Sequence, residues 1–181
     1  MDGDNIEKNP AELIRKAKKG DTDAFGQLYE SYFAPIFRYI YLKVVDKEVA
    51  KDLTQTVFLK VFCSLNRYEE KNKNPLSYFF TVAKNTIIDY WKKKKEKRLN
   101  ELNLSLNFNN NFLEIENKID NEKMIFRAIK QLTEEQQEVI ILKFIVGLTN
   151  KEIAHLLEKK EENIRQIQCR ALKNLSNFLK N

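Results

Sequence analysis

Apolar residues along this chain recur at helical spacing far more often than they alternate as strand residues do. Phe25, Leu28, Tyr29, Tyr32, Phe33, Ile36, Phe37 and Ile40 follow i, i+3, i+4 and i+7 steps, the signature of one buried helix face. Pro35 falls inside that series, and its missing N–H predicts a kink or a break between two helices near Ala34. The helical pattern begins at Ala11, and residues 1–10 read as a disordered tail. Asp46 can cap a helix running to about Leu65, with Val49, Leu53, Val57 and Val61 as its main stripe and Ala50, Phe58 and Phe62 beside it. After the polar loop 69–73, Asn74 and Pro75 read as N-cap and first helical position, where a missing N–H costs nothing. The helix they open continues through Phe79, Ala83, Ile87 and Trp91 into the lysine run, and both Phe79 and Phe80 are expected in the core.

A change of pattern follows. Leu102, Leu104, Leu106 and Phe108 alternate among asparagines, but one isolated strand cannot stand alone, so 99–120 reads as a flexible linker. Beyond it, 122–131 is expected as a short helix with Ile125, Ala128, Ile129 and Leu132 on its inner side. Thr133 with Gln136, and Thr149 with Glu152, form two capping boxes, each opening a further helix. The first of these carries Val139, Ile140, Leu142 and Ile145 to Gly147; the second carries Ile153, Leu156 and Leu157. After the turn Glu158, Lys159, Lys160 comes a last helix over about 161–179. The expected fold is all-α: two small helical domains, 11–98 and 121–181, joined by the linker, the C-terminal one a helix-turn-helix.

Composition sharpens this picture. Four Gly and three Pro in 181 residues are too few for the turns of a sheet-rich fold. The net charge of +6 suits a polyanionic partner, and its densest run, Lys92, Lys93, Lys94, Lys95, Glu96, Lys97, Arg98, directly follows an aromatic-rich segment. No apolar run is long enough for a membrane span and the first residues lack a signal-peptide pattern, so a cytoplasmic protein with no membrane partner is expected. Cys63 and Cys169 fall in separate domains, which argues against a disulfide, and each is expected as a small apolar filler. No paired-carboxylate metal motif, glycine-rich phosphate loop or zinc-ligand spacing is present, and the single histidine, His155, lies on a polar helix side. No enzyme, metal, cofactor or small-molecule substrate is therefore expected.

A short capped helix, a tight turn and a longer helix with exposed Arg and Gln form the pattern that reads a DNA major groove. Ile153, Ala154 and Leu157 would pack on Ile164, leaving Asn163, Arg165, Gln166, Cys169 and Arg170 outward. Arg matches guanine O6 and N7, and Gln matches adenine N6 and N7. The runs 131–139, 147–154 and 163–166, with Arg170, Ala171 and Leu172, resemble the fourth region of RNA polymerase sigma factors. Asp23, Ala24, Phe25, Leu28 and Tyr29, then the runs 52–62 and 78–85 with Ile88, Asp89 and Tyr90, resemble the second region of the extracytoplasmic-function (ECF) type. Both likenesses occur in family order over most of the chain.

The resemblance implies a sigma factor that binds core RNA polymerase and recognises −10 and −35 promoter elements. It implies polymerase binding by Asp52, Gln55, Thr56 and Leu59, with Thr56 standing where many members carry an acid. Lys84, Asn85 and Asp89 fall at or near the −10 site, where Asn can pair with an unstacked base, aromatics stack and Lys92, Lys93, Lys94 and Lys95 hold phosphates. The partners would be double-stranded promoter DNA and its melted strand, together with a possible anti-sigma factor. The turn departs from the family: Glu158 replaces a common Gly, Lys159 an apolar residue and Lys160 a capping Ser, while Glu161 and Glu162 would repel phosphates. The rival reading, a helix-turn-helix regulator that is not a sigma subunit, would need a dimer interface or ligand pocket that the first domain does not offer.

Overall fold

The structure, a computed structural model, describes residues 9–68, 75–101, 124 and 127–179. The expected tail up to Lys8, the Asn74 cap, the linker beyond Glu101 and the inward Ile125 lie outside the described residues. The chain divides into two compact units, Met1–Ile87 and Ile88–Asn181. Every regular element among the described residues is helical.

In the first unit, Asn9 accepts the Ala11 N–H and opens α1 (Pro10–Lys18), one residue ahead of the expected start, with Pro10 filling the first turn. Gly20, at φ 93°, turns the chain so that Asp21 can cap α2 (Thr22–Val44) through the Ala24 N–H at 2.9 Å. α2 passes through Pro35 as a single helix, so of the kink or break expected near Ala34 the break does not occur. Proline removes one N–H donor, but Leu28 and Tyr32 before it and Ile36, Tyr39 and Ile40 after it are all buried. Packing on both sides of the proline holds the helix across the missing bond.

Asp46 accepts the Val49 N–H at 2.9 Å and caps α3 (Lys47–Ser64), as the pattern predicts. The buried stripe of α3 is Ala50, Thr54, Val57, Phe58 and Val61, whereas Val49 and Leu53 are half-buried and Phe62 is exposed. The stripe is therefore turned from the one expected: Thr54 enters the core because its hydroxyl donates to the Ala50 carbonyl and so buries no unsatisfied group. A 3-10 turn over Leu65–Arg67 follows.

The long α4 (Pro75–Glu101) begins at Pro75 and remains helical to Glu101, beyond the expected linker boundary. Phe79 and Phe80 are fully buried. Phe79 lies edge-on to Tyr32 of α2 at 5.1 Å and tilted against Phe58 of α3 at 5.4 Å, while Phe80 meets Tyr39 edge-on at 5.2 Å. Such aromatic pairs add about 0.5–1.5 kcal/mol each beyond area burial. Polar bonds join α3 to α4 as well: Lys60 Nζ donates to Thr86 Oγ1 at 3.2 Å, and the Ser64 and Tyr78 hydroxyls share a 2.6 Å bond.

In the second unit, residues 127–130 are helical and bury Ala128 and Ile129. Both expected capping boxes form: Thr133 with Gln136 opens α5 (Glu134–Ile140), and Thr149 with Glu152 opens α6 (Asn150–Leu156). A π-helical turn, Ile141–Ile145, extends α5, and Gly147 at φ 88° ends it. Both α5 and α6 pack on α7 (Glu161–Leu179), with Ile153 and Ile164 fully buried. Leu132, Ile140 and Ala171 form a core cluster against which Leu175 packs.

Restoring the absent donor in α2 tests whether packing rather than backbone geometry holds it. Pro35→Ala is expected to stabilise the chain by about 1–3 kcal/mol in urea unfolding. A loss of stability would mean that the proline ring itself is needed there.

Candidate nucleic-acid interface

The burial of Ala50, Val57 and Val61 dictates which side of α3 faces out. Asp52, Gln55 and Leu59 are exposed, and Thr56 is half-exposed with its hydroxyl bonded to the Asp52 carbonyl at 2.9 Å. Helical steps of three and four extend this strip to Phe62 and Cys63. Leu59 is 63% and Phe62 48% exposed, so the strip carries two large apolar side chains that the unit leaves uncovered. Phe62 belongs to this strip rather than to the core stripe expected of it; its ring leans on Phe25 at 4.9 Å. Cys63 is exposed too, so it is not the apolar filler expected.

Along α4 the same geometry separates the candidate residues. Asn85, Asp89 and Lys92 share one strip, all exposed. Lys84, half-exposed, and Lys95, exposed, share the next strip with Ile88 and Trp91, each 41% exposed. Lys93 and Lys94 point to other sides, because consecutive helical residues are about 100° apart and four lysines in a row cannot share a face. Lys94 Nζ sits 5.1 Å from the Trp91 ring centroid and 3.2 Å from the Tyr90 hydroxyl. Trp91 lies outward although Phe79, Ala83 and Ile87, spaced four residues apart before it, are buried. Each i+4 step drifts about 40° around a helix, and three steps carry the ring off the buried face.

In the second unit, Asn163, Arg165, Gln166, Cys169 and Arg170 are all exposed on α7, opposite Ile164, Ile167 and Ala171. Cys169 is again no filler, and His155 is exposed as expected. Lys173 lies on the same strip, one turn beyond Cys169 and Arg170, and its spacing from Gln166 could have identified it. The turn before α7 carries its departures visibly. Glu158 adopts φ 54°, a left-handed conformation that suits glycine. It is held by backbone bonds, notably Lys159 N–H to the Ala154 carbonyl at 2.8 Å. Lys159 pairs with Glu135 on α5 at 2.7 Å. Lys160 has no side-chain acceptor for a cap, and only its carbonyl serves α7, bonding Asn163 and Ile164.

Residues 28–97 match sigma-70 region 2, and residues 128–177 match sigma-70 region 4. The chain is 31% identical over 131 residues to RNA polymerase sigma factor SigZ of Bacillus subtilis, covering 72% of each chain. The chain belongs to the sigma-70 family of RNA polymerase sigma factors, of the ECF type. It is also 29% identical to ECF RNA polymerase sigma factor BldN of Streptomyces coelicolor, over 93% of this chain and 65% of that protein's length. Among solved structures, the sigma factor RpoE of Bartonella quintana, in complex with the anti-sigma factor NepR, shares the fold. Its TM-score is 0.68 at 18% identity, covering 86% of this chain and 96% of that one.

The matched regions of this sigma factor contain every candidate strip just described: the α3 and α4 residues lie in region 2 and the α7 residues in region 4. Among its described residues, no helix is long and apolar enough to cross a membrane, and no group of three or more His, Cys, Asp or Glu could hold a metal ion. The left-handed Glu158 gives a direct test of the region 4 turn. Glu158→Gly is expected to raise stability by about 0.5–1 kcal/mol in thermal unfolding, the relief of strain exceeding the entropy cost of glycine. An unchanged or lowered midpoint would show that the turn holds no strain.

Proposed function

We propose that this sigma factor binds core RNA polymerase through the outward strip of α3 and reads promoter DNA through α4 and α7. The single observation that carries the reading is the exposure of Leu59 and Phe62 on a well-packed helix, beside Asp52, Gln55 and Thr56. Large apolar groups rimmed by polar ones, on a surface the domain does not bury for itself, suit a protein partner. Residues 11–98 act as the polymerase and −10 module, 121–181 as the −35 module and 99–120 as the linker, with 1–10 a tail ahead of them.

At the −10 element, Asn85 and Asp89 meet an unstacked base while Lys84, Lys92 and Lys95 hold the backbone and Trp91 offers a stacking surface. Lys93 and Lys94 add positive potential around the helix rather than contacts on one line. Stacking contributes roughly 1–3 kcal/mol per base, comparable to the cost of unstacking, so melting becomes favourable once polymerase holds the duplex. At the −35 element, Asn163, Arg165, Gln166, Cys169 and Arg170 enter the major groove, with Lys173 beyond them. The chain performs no chemistry itself and works in the cytoplasm. Its control comes from an anti-sigma factor covering these faces, as the Bartonella relative of this fold is bound by one.

A coil of about 20 residues spans roughly 25 Å on average and about 66 Å when fully extended. Promoter boxes one and a half helical turns apart lie about 50 Å from each other. The linker reaches that distance without favouring it, so polymerase must set the separation. The holoenzyme is therefore expected to bind a promoter at least tenfold more tightly than the free chain does in a gel-shift titration. Equal affinities would remove the need for polymerase.

The α3 strip has its own test. Leu59→Ala leaves folding intact because Leu59 is exposed, and it is expected to weaken binding to core polymerase by about 1–2 kcal/mol in a fluorescence titration. Undiminished binding would exclude this face as the contact.

A further inference from the structure

The first turn of α7 contains a contradiction that its geometry resolves. Glu161 and Glu162 open the helix that faces DNA, and two carboxylates there oppose phosphate binding. A helix N-terminus favours acids for its own stability, which accounts for one or both without reference to DNA. Glu161, however, is also engaged from the opposite direction. Its Oε1 lies 2.7 Å from Nη2 of Arg165, one turn along the same helix. The side chains are 37% and 67% exposed respectively, so the pair contributes little to folding. Its consequence is geometric.

Arginine carries five N–H donors in a planar fork on a long, freely rotating stem. To read a guanine, two of those donors must lie in the plane of the base and meet O6 and N7 together. A carboxylate on the same helix restricts the stem and fixes the plane of the fork while using one N–H of Nη2. The second N–H of Nη2 and a donor on Nη1, side by side on the outer edge of the fork, can then meet the base without the loss of rotamer freedom that an unheld arginine would suffer. The same carboxylate repels phosphates, which lowers affinity for every DNA sequence alike. The two effects have opposite signs and can be separated by measurement.

We propose that Glu161 is a positioning residue that orients Arg165 to read a guanine in the −35 element, so that the chain exchanges general DNA affinity for base discrimination. This rests on the reading that the outer strip of α7 enters the −35 major groove. Glu162 lacks this function, since the residue four positions on is Gln166, which carries no charge.

The test uses holoenzyme reconstituted with the full chain carrying Glu161→Gln, Glu162→Gln or Arg165→Lys, and a promoter set with every single substitution across the −35 element. Glu161→Gln is expected to tighten binding to all promoters by roughly threefold at low salt, through loss of one negative charge. It should also reduce the preference for guanine at one position by about fivefold or more. Glu162→Gln should give the general tightening with the preference retained, and Arg165→Lys should lose the preference at the same guanine. A Glu161→Gln holoenzyme with the unsubstituted chain's base preferences would overturn the positioning role while leaving −35 reading intact. An Arg165→Lys holoenzyme that keeps the guanine preference would overturn it too. If the unsubstituted holoenzyme itself ignored −35 sequence, the reading of α7 would fail first, and the positioning role with it.

Discussion

The contact on which the first unit depends is the seating of Phe79 between Tyr32 and Phe58. One fully buried ring from α4 thereby touches both α2 and α3, and the rotation of three helices is set together. With Val57, Phe58 and Val61 turned toward that ring and its neighbours, the opposite side of α3 must present Asp52, Gln55, Leu59 and Phe62. With Phe79, Phe80 and Ala83 inward, Asn85 and Asp89 must look out. The faces proposed for polymerase and for DNA are thus two consequences of one packing arrangement.

Charge in this chain works through helical period rather than through density. The run Lys92 to Lys95 is the most basic segment, yet its members radiate around α4, and Lys94 folds over Tyr90 and Trp91. A helix surrounded by lysines has a broad positive potential that draws in phosphate from several directions. Asn85, Asp89 and Lys92, by contrast, share a single exposed strip. In region 4 the charges are more closely matched. Lys159 pairs with Glu135 and Arg165 with Glu161, so part of the positive charge is already committed within the domain. Such pairs reduce the positive potential that this unit presents to solvent.

The region 4 turn shows how an unfavourable sequence keeps a required shape. Glu158 occupies a left-handed position, and Lys160 cannot cap α7 with its side chain. The backbone bond from Lys159 to Ala154 and the ion pair to Glu135 hold the connection in place of the missing glycine and cap. The small Ala154, buried at the crossing, lets α6 lie close enough to α7 for Ile153 and Ile164 to exclude water completely. Packing at that crossing outweighs the local strain.

Much was legible in the amino-acid order alone. The Asp46 cap, both capping boxes, the inward Phe79 and Phe80, and the outward residues of α7 follow from local hydrogen-bonding chemistry and from a short helical period, which operate within a few residues. Tertiary structure decided what depends on distant neighbours. It carried α2 through Pro35 because both flanking turns are buried, and it admitted Thr54 to the core in place of Leu53 because the hydroxyl found an acceptor in its own helix. It also moved Phe62 and Cys63 to the surface. Hydrophobic character tells which residues can be buried, but which ones are buried depends on the finite area that neighbouring helices cover, and that is fixed only when the helices meet.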